Sequence, residues 1–387
     1  MSMRGLKAAV PAALVAALLA GCASSSHSSS QRTSAPAVSS SGAASSVSGP
    51  IAAAQTTFTK YSAMPAPATL APLPSAPPQG LSVISIGTPS PALEPLVQGV
   101  KDAAAVLKWK ADAITASATS PAALGSALQS AIQRKPKVIM LFSAFPLSLF
   151  DRELKQAKAD GIYVISFGGY DYPIGGSSPV QANANGQGVT ALNGKLLVDT
   201  LVSLAGHAPN AVFVNDFAVP IWFSITKAYK QEMAAVGGRY HQLAVNLADT
   251  GTKIPQEIVS YLQAHPDTQY VVLSLDAFST GLYQALAAAG LSNKVKVISQ
   301  AGTGPAIDQI RSGQLTATVA IETAYESWRM MYAATRLVTG ADMSCNECTE
   351  LGQSQLIVTK NNLSLVKGNI NNFPFDTSPY LTAWHLG

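Results

Sequence analysis

Charge is scarce in this 387-residue chain, with Asp, Glu, Lys and Arg making up 12% of it. The 25 basic and 21 acidic residues leave a net charge of +4, and no block of five like charges occurs. That balance excludes the electrostatic footprint of a nucleic-acid partner. Histidines are few (27, 207, 241, 265 and 385) and none shows H-x-x-x-H or H-E-x-x-H spacing, while Cys345 and Cys348 alone would leave a zinc site incomplete. No G-x-S-x-G elbow is present, and the Gly-rich pieces GGYDYPIGG and AGTGP lack the G-x-G-x-x-G register after a first strand. The expectation is a protein that is no enzyme and needs neither metal nor cofactor. The apolar run at residues 8–20 is thirteen residues long, too short to span a hydrocarbon layer of roughly 30 Å.

Arg4 and Lys7 precede that run, and Gly21 and Cys22 follow it at once. A short basic region, an apolar stretch and small residues read as a cleaved secretory signal over 1–21. Leu19-Ala20-Gly21-Cys22 resembles the lipobox of bacterial lipoproteins, which implies a lipid on the Cys22 thiol and an extracytoplasmic protein touching the membrane only through that anchor. Residues 23–50 hold thirteen Ser, and 61–80 are rich in Pro. Such composition cannot bury a core and favours extended chain, so 22–80 is expected to be a disordered tether.

From Leu81 onward short β-branched runs alternate with amphipathic stretches. Strands are expected at 81–87, 111–116, 138–142, 163–167, 211–215, 240–245, 270–275, 295–299 and 315–321. Helical segments are expected at 94–107, 121–134, 147–160, 188–205, 224–236 and 255–264. Strand followed by helix, repeated, predicts an α/β fold with parallel sheets covered on both faces. Burial on both faces also accounts for VIMLF (138–142) and YVVLSL (270–275), which are continuously apolar instead of alternating.

Four stretches then resemble the type I periplasmic substrate-binding proteins of ABC transporters, in the ribose-binding-like group. They are LSVISIGTPSPALEPLVQGVKDAAAVLKW, ALQSAIQRKPKVIML, LDAFSTGLYQALAAAGLSNKVKVIS with the following AGTGPAIDQIRSGQLTATVA, and QLIVTKNNL. The resemblance implies two doubly wound parallel-sheet lobes joined by a three-segment hinge, with a small-molecule ligand between them. The expected first lobe is 81–167 plus 302–340, the second 168–301 plus 341–365, and 366–387 is an extension. A monomer that delivers its ligand to an ABC permease is the expected function. A receptor of the same fold that signals to a membrane sensor is the alternative.

The pocket departs from the sugar-binding pattern. Ser90, Pro91, Ala92 and Leu93 stand where relatives place stacking aromatics, and Gly168-Gly169 where they often carry Asp-Arg. Leu275 replaces the Asn of an Asn-Asp pair although Asp276 remains; Ala301 and Ile321 replace a further Asp and Gln. A free sugar would leave hydroxyls poorly paired there, so a less polar ligand is expected. Candidate contacts are Thr88, Ser90, Ser143, Phe145, Tyr170, Asp171, Asp216, Trp222, Phe223, Thr250, Asp276, Phe278, Gln300 and Glu322. Trp222 and Phe223 suit either a stacking pocket or loop packing, Asp276 and Glu322 either a ligand or a helix cap. Gly168-Gly169 would equally suit a hinge crossing. Secretion favours a local disulfide between Cys345 and Cys348.

Overall fold

The computed structural model describes residues 41–88, 93–117, 120–143, 145–344, 346–352, 354–366 and 376–386. Ahead of the first strand lies helix α1 (Ser41–Tyr61). The first lobe then runs through β1 (Ser82–Gly87), α2 (Glu94–Val106), β2 (Lys110–Thr115), α3 (Pro121–Gln133), β3 (Val138–Phe142), α4 (Asp151–Ala159), β4 (Tyr163–Phe167) and β5 (Val180–Ala184). The second comprises α5 (Gln187–Ala205), β6 (Asn210–Asn215), α6 (Phe223–Ala235), β7 (Arg239–Ala244), α7 (Ile254–Ala264), β8 (Tyr270–Leu273), α8 (Leu282–Ala288), β9 (Lys296–Ala301), α9 (Gly304–Ser312) and β10 (Ala317–Ile321). Helix α10 (Thr323–Thr339), α11 (Asn346–Thr349) and β11 (Glu350–Leu351) return to the first lobe, β12 (Gln355–Thr359) to the second, and α12 (Ser378–Ala383) closes the chain.

Two six-stranded sheets result, ordered β11-β5-β4-β3-β1-β2 and β12-β10-β9-β8-β6-β7. Every pairing is parallel except β10 with β12. The fold is therefore the expected pair of doubly wound lobes. All five residues of β3 are buried, as helices on both faces require. Local signals agree with the elements: the Ser120 hydroxyl accepts from Ala123 N ahead of Pro121 to start α3. Gly206 and Gly313 take left-handed φ of 73° and 80° to end α5 and α9.

The crossings between lobes fall later than expected. Because β5 joins the first sheet and β10 the second, the chain changes lobe at 185–186, at Glu322 and at 352–354. Residues 168–184 thus belong to the first lobe and 302–321 to the second. Strand β5 escaped the sequence reading because VQANA carries Gln181 and Asn183. Its polar positions are satisfied internally: Ser166 Oγ donates to Asn183 Oδ1 (2.8 Å) and Val164 N to Gln181 Oε1 (2.7 Å).

Residues 41–80 of the expected tether are also not a tether. Ala54 of α1 is fully buried against the second-lobe core, flanked by Ile51, Phe58 and Tyr61. Leu73 is buried against the first. The stripe at 51, 54, 58 and 61 follows the helical period, which the high Ser and Ala content conceals. At the other end of the chain, Trp384 stacks on Trp328 at 5.4 Å and its Nε1 donates to Thr335 Oγ1 (2.8 Å), fixing α12 on the first lobe. Cys348 is buried and disulfide-bonded; Cys345 and Cys22 lie outside the described residues.

Candidate functional site

In a doubly wound sheet, ligand-bearing loops gather at the carboxyl ends of the parallel strands. On the first lobe those ends carry Thr88 after β1, Ser143 after β3, Gly168-Gly169 after β4 and Asn185 after β5. On the second they carry Asp216 after β6, Asp276 after β8, Gln300 in β9 and Glu322 after β10. The candidates thus lie at the expected ends, but most of their polar groups already have protein partners.

Asp276 is the clearest case. It is buried, and its carboxylate accepts from Ser299 Oγ, Thr318 Oγ1 (3.1 Å), Thr303 N (2.7 Å) and Thr303 Oγ1 (3.1 Å). Burial raises its pKa, with those hydrogen bonds opposing the rise. The residue ties β9, β10 and the start of α9 together.

Asp216 accepts from Ala218 N (3.0 Å) and Leu247 N (2.9 Å), stitching the β6 loop to the β7 loop. Asp171 accepts from Leu147 N (2.8 Å) and Ser148 N (3.0 Å). Burial disfavours the Asp171 anion, but the Ser148 and Leu147 hydrogen bonds outweigh it and hold the carboxyl below the usual range. The Ser143 hydroxyl closes a local turn with Phe145 N and O, and Thr250 Oγ1 donates to Leu247 O (2.7 Å).

Gln300 sits in an amide chain at the hinge. Its Nε2 donates to Ser274 O (2.7 Å), its Oε1 accepts from Asn193 Nδ2 (3.5 Å), and Asn193 Oδ1 accepts from Gln355 Nε2 (3.1 Å). Glu322 is fully buried at the second crossing, its Oε1 accepting from Tyr325 N (3.4 Å). Neither residue presents an open polar face to the cleft. Thr88 lines a groove of about 540 Å³ built wholly from first-lobe residues, among them Glu94, Gln98, Lys101 and Thr115. Ser90 lies outside the described residues.

Across the lobes the second lobe comes close to Gly168: a Cβ placed there would come 3.2 Å from Ile221 Cδ1 of the second lobe, 3.3 Å from Ser143 O and 3.6 Å from Tyr170 Cε2. Ile221 belongs to a short turn, Pro220–Trp222, that follows β6. Trp222 is buried edge-on to Phe278 at 5.9 Å, whereas Phe223 is 55% exposed. Phe278 is fully buried in the second-lobe core, and Phe145 packs half-buried on the first. Gly169 has no spare volume either: its Cβ position lies 2.6 Å from Leu147 Cδ1, and Asn183 clamps its backbone from both sides, accepting from Gly169 N (2.9 Å) and donating to Gly169 O (3.2 Å). The glycine pair is therefore no crossing segment. It is a place where side chains are excluded.

Asn185, Asn193, Asn215, Ile221 and Gln355 escaped the sequence reading. Asn185 holds φ of +56°, a conformation Asn tolerates better than most residues, and its carbonyl accepts from Tyr170 OH (2.6 Å). The Oδ1 atoms of Asn185 and Asn215 are buried with no hydrogen-bond partner, so they are available to a donor group or water. An Asn at a strand end was the only available signal, and it does not separate a turn from a contact. Among the described residues no group of His, Cys, Asp and Glu could hold a metal ion, and no helix is long and apolar enough to cross a membrane.

The fold is a pair of doubly wound lobes joined by three crossings. The chain belongs to the periplasmic binding protein domain family, whose pattern matches residues 82–342. Similar solved structures include an ABC transporter solute-binding protein from Agrobacterium vitis bound to α-D-tagatopyranose, at 19% identity and TM-score 0.64, covering 76% of this chain and 99% of that one. A 5-methylthioribose transporter solute-binding protein from Thermotoga lettingae, in complex with 5-methylthioribose, is 20% identical with TM-score 0.63, covering 81% and 95%. A sugar ABC transport substrate-binding protein from Bordetella parapertussis is 17% identical with TM-score 0.64, covering 78% and 96%. At these identities the likeness establishes the type I fold. No curated protein matches the chain.

Proposed function

We propose that this protein is an extracytoplasmic solute-binding lipoprotein of an ABC importer, anchored through Cys22, acting as a monomer. It captures a small molecule between its lobes by hinge closure and presents it to a permease. Its ligand is less polar than a free pentose or hexose. The observation that carries this reading is that Ile221 Cδ1 lies 3.2 Å from where a Cβ on Gly168 would sit, at the position where resembling sugar binders often bear a charged pair. Asp171, Asp216 and Asp276 support it, since their carboxylates are committed to backbone and hydroxyl donors of the protein.

A sugar hydroxyl buried without a partner costs about 1–3 kcal/mol, so two or three of them reduce affinity by orders of magnitude. A ligand with one apolar or aromatic end avoids that cost. Tyr170, Ile221, Trp222 and Phe223 would pack against it, and Thr88, Asn185 and Asn215 would orient its polar end.

A thermal-shift screen tests this directly. Plain pentoses and hexoses should leave the unfolding temperature unchanged. A methylthio-pentose of the kind bound by the Thermotoga relative, aryl glycosides, and aromatic or terpenoid solutes should include a binder. At one hundred times its dissociation constant, that binder stabilises by about 2.7 kcal/mol. A full response to an unmodified hexose or pentose would refute the reading.

A further inference from the structure

The segment from α1 to β1 touches both lobes. Its first part is fixed to the second lobe, where Ala54 is fully buried among Ile51, Phe58 and Tyr61 and the neighbouring core, and Asn362 Nδ2 donates to Ser62 O (2.8 Å). Its second part is fixed to the first lobe. Tyr332 OH donates to Ala71 O (2.6 Å), Leu73 N to Ala383 O (3.0 Å) and Trp109 Nε1 to Pro78 O (2.8 Å). A ring nitrogen of His385 lies 2.7 Å from Leu73 O, and Leu73 is buried beside Trp384. Helix α12 thus serves as a clamp for this half.

Between the two attachments run Ala63 to Pro67, AMPAP, with prolines at 65 and 67; Ala68 and Leu70 already pack on the first-lobe core. Proline fixes φ near −65° and removes backbone freedom, so such a stretch is a spacer rather than slack. From Ser62 to Ala68 is six residues, and at the polyproline rise they span about 19 Å. A Gly/Ser chain of that length would average about 12–15 Å end to end and fluctuate widely.

We propose that residues 62–68 form a strut, a fourth interlobe connection beyond the three crossings, which restricts how far the lobes separate and thereby sets the ligand-free conformation. The proposal rests on the reading that the lobes move relative to one another, and its test measures that motion without any ligand. A receptor whose binding-competent state is only partly populated loses affinity by that fraction. Holding the lobes near closure in advance therefore raises affinity, at the expense of the contrast between free and loaded forms that a permease would sense.

The test uses the full chain carrying Cys22→Ser, with spin labels at Gln133→Cys on the first lobe and Gln263→Cys on the second, both exposed positions. A protease site inserted between Ala63 and Met64, both exposed, allows the strut to be cut after folding. The intact chain should give one narrow interlobe distance distribution, and cutting should broaden it with new weight at longer distances. Ala54→Glu, which places a charge at a fully buried α1 position, should produce the same broadening without a cut, by releasing the second-lobe end. Circular dichroism confirms that either form keeps its folded body. Superimposable distributions before and after cutting, whether narrow or broad, would overturn the proposal. Broadening on cutting that Ala54→Glu also reproduces would support it, whatever ligand the cleft takes.

Discussion

Asp199 gives the sharpest quantitative prediction. It lies in α5 with no solvent exposure, 3.2 Å from Lys195 Nζ, which also reaches Glu232 of α6 at 2.6 Å. Burial is the largest influence on its carboxyl; Lys195 opposes it and the Glu232 carboxylate reinforces it, leaving the pKa raised to about 7. A hydrogen bond to the Glu232 carboxylate also favours the protonated form. An unfolded chain would titrate this group at 3.8. Between those values the folded protein holds a proton that the unfolded chain has released. The stabilisation is therefore complete below about pH 4 and is lost as pH rises through about 7.

A difference of about three pKa units corresponds to at most about 4 kcal/mol, at 1.36 kcal/mol per unit. The compact body Gly42–Gly387 has an unfolding entropy of roughly 0.7 kcal/mol/K, so that loss lowers Tm by up to about 6 °C. Asp199→Asn keeps the size and the neutral charge of the protonated acid. Scanning calorimetry from pH 5 to pH 8 should show Tm falling in the parent and a shallower fall, by several degrees, in the variant. Equal slopes in the two proteins would refute the assignment of this proton to Asp199.

Two further substitutions probe the packing. At Gly194 of α5 an added Cβ would lie 2.2 Å from Ile225 O of α6, backbone that cannot rotate away. Gly194→Ala should therefore exceed the ordinary overpacking cost of about 1–3 kcal/mol, read as a fall in the denaturant midpoint. Asp276→Ala strands the donors on Ser299, Thr303 and Thr318. Each stranded buried donor costs about 1–3 kcal/mol, so denaturant unfolding should record a loss of at least about 3 kcal/mol, and a loss below about 1 kcal/mol would instead return Asp276 to the set of free ligand contacts.

The fold class was readable because it depends on local and periodic properties. A parallel strand covered on both faces must be apolar throughout, and VIMLF and YVVL are. Helices that pack by one stripe leave a 3.6-residue period, and their ends carry Ser120, Pro121, Gly206 and Gly313. Strand β5 was not readable, because the residues that break its apolar run, Gln181 and Asn183, are paired with β4 and with Gly169, partners chosen only by the sheet. The first hinge crossing was displaced for the same reason.

That the candidates sit at strand ends was readable, but not what their side chains meet. A carboxylate at a strand end looks the same in the sequence whether it faces a ligand or a neighbouring backbone N–H. For Asp171, Asp216 and Asp276 the loops of the folded lobes supply that N–H. The loss of polar residues at Gly168-Gly169 was visible in the sequence, but the arrival of Ile221 from the other lobe was not. Likewise the stiffness of AMPAP is set by its prolines. Only the tertiary structure decides that its two ends are held by different lobes, because the attachments at Asn362, Tyr332 and Ala383 come from residues roughly 260 to 310 positions away.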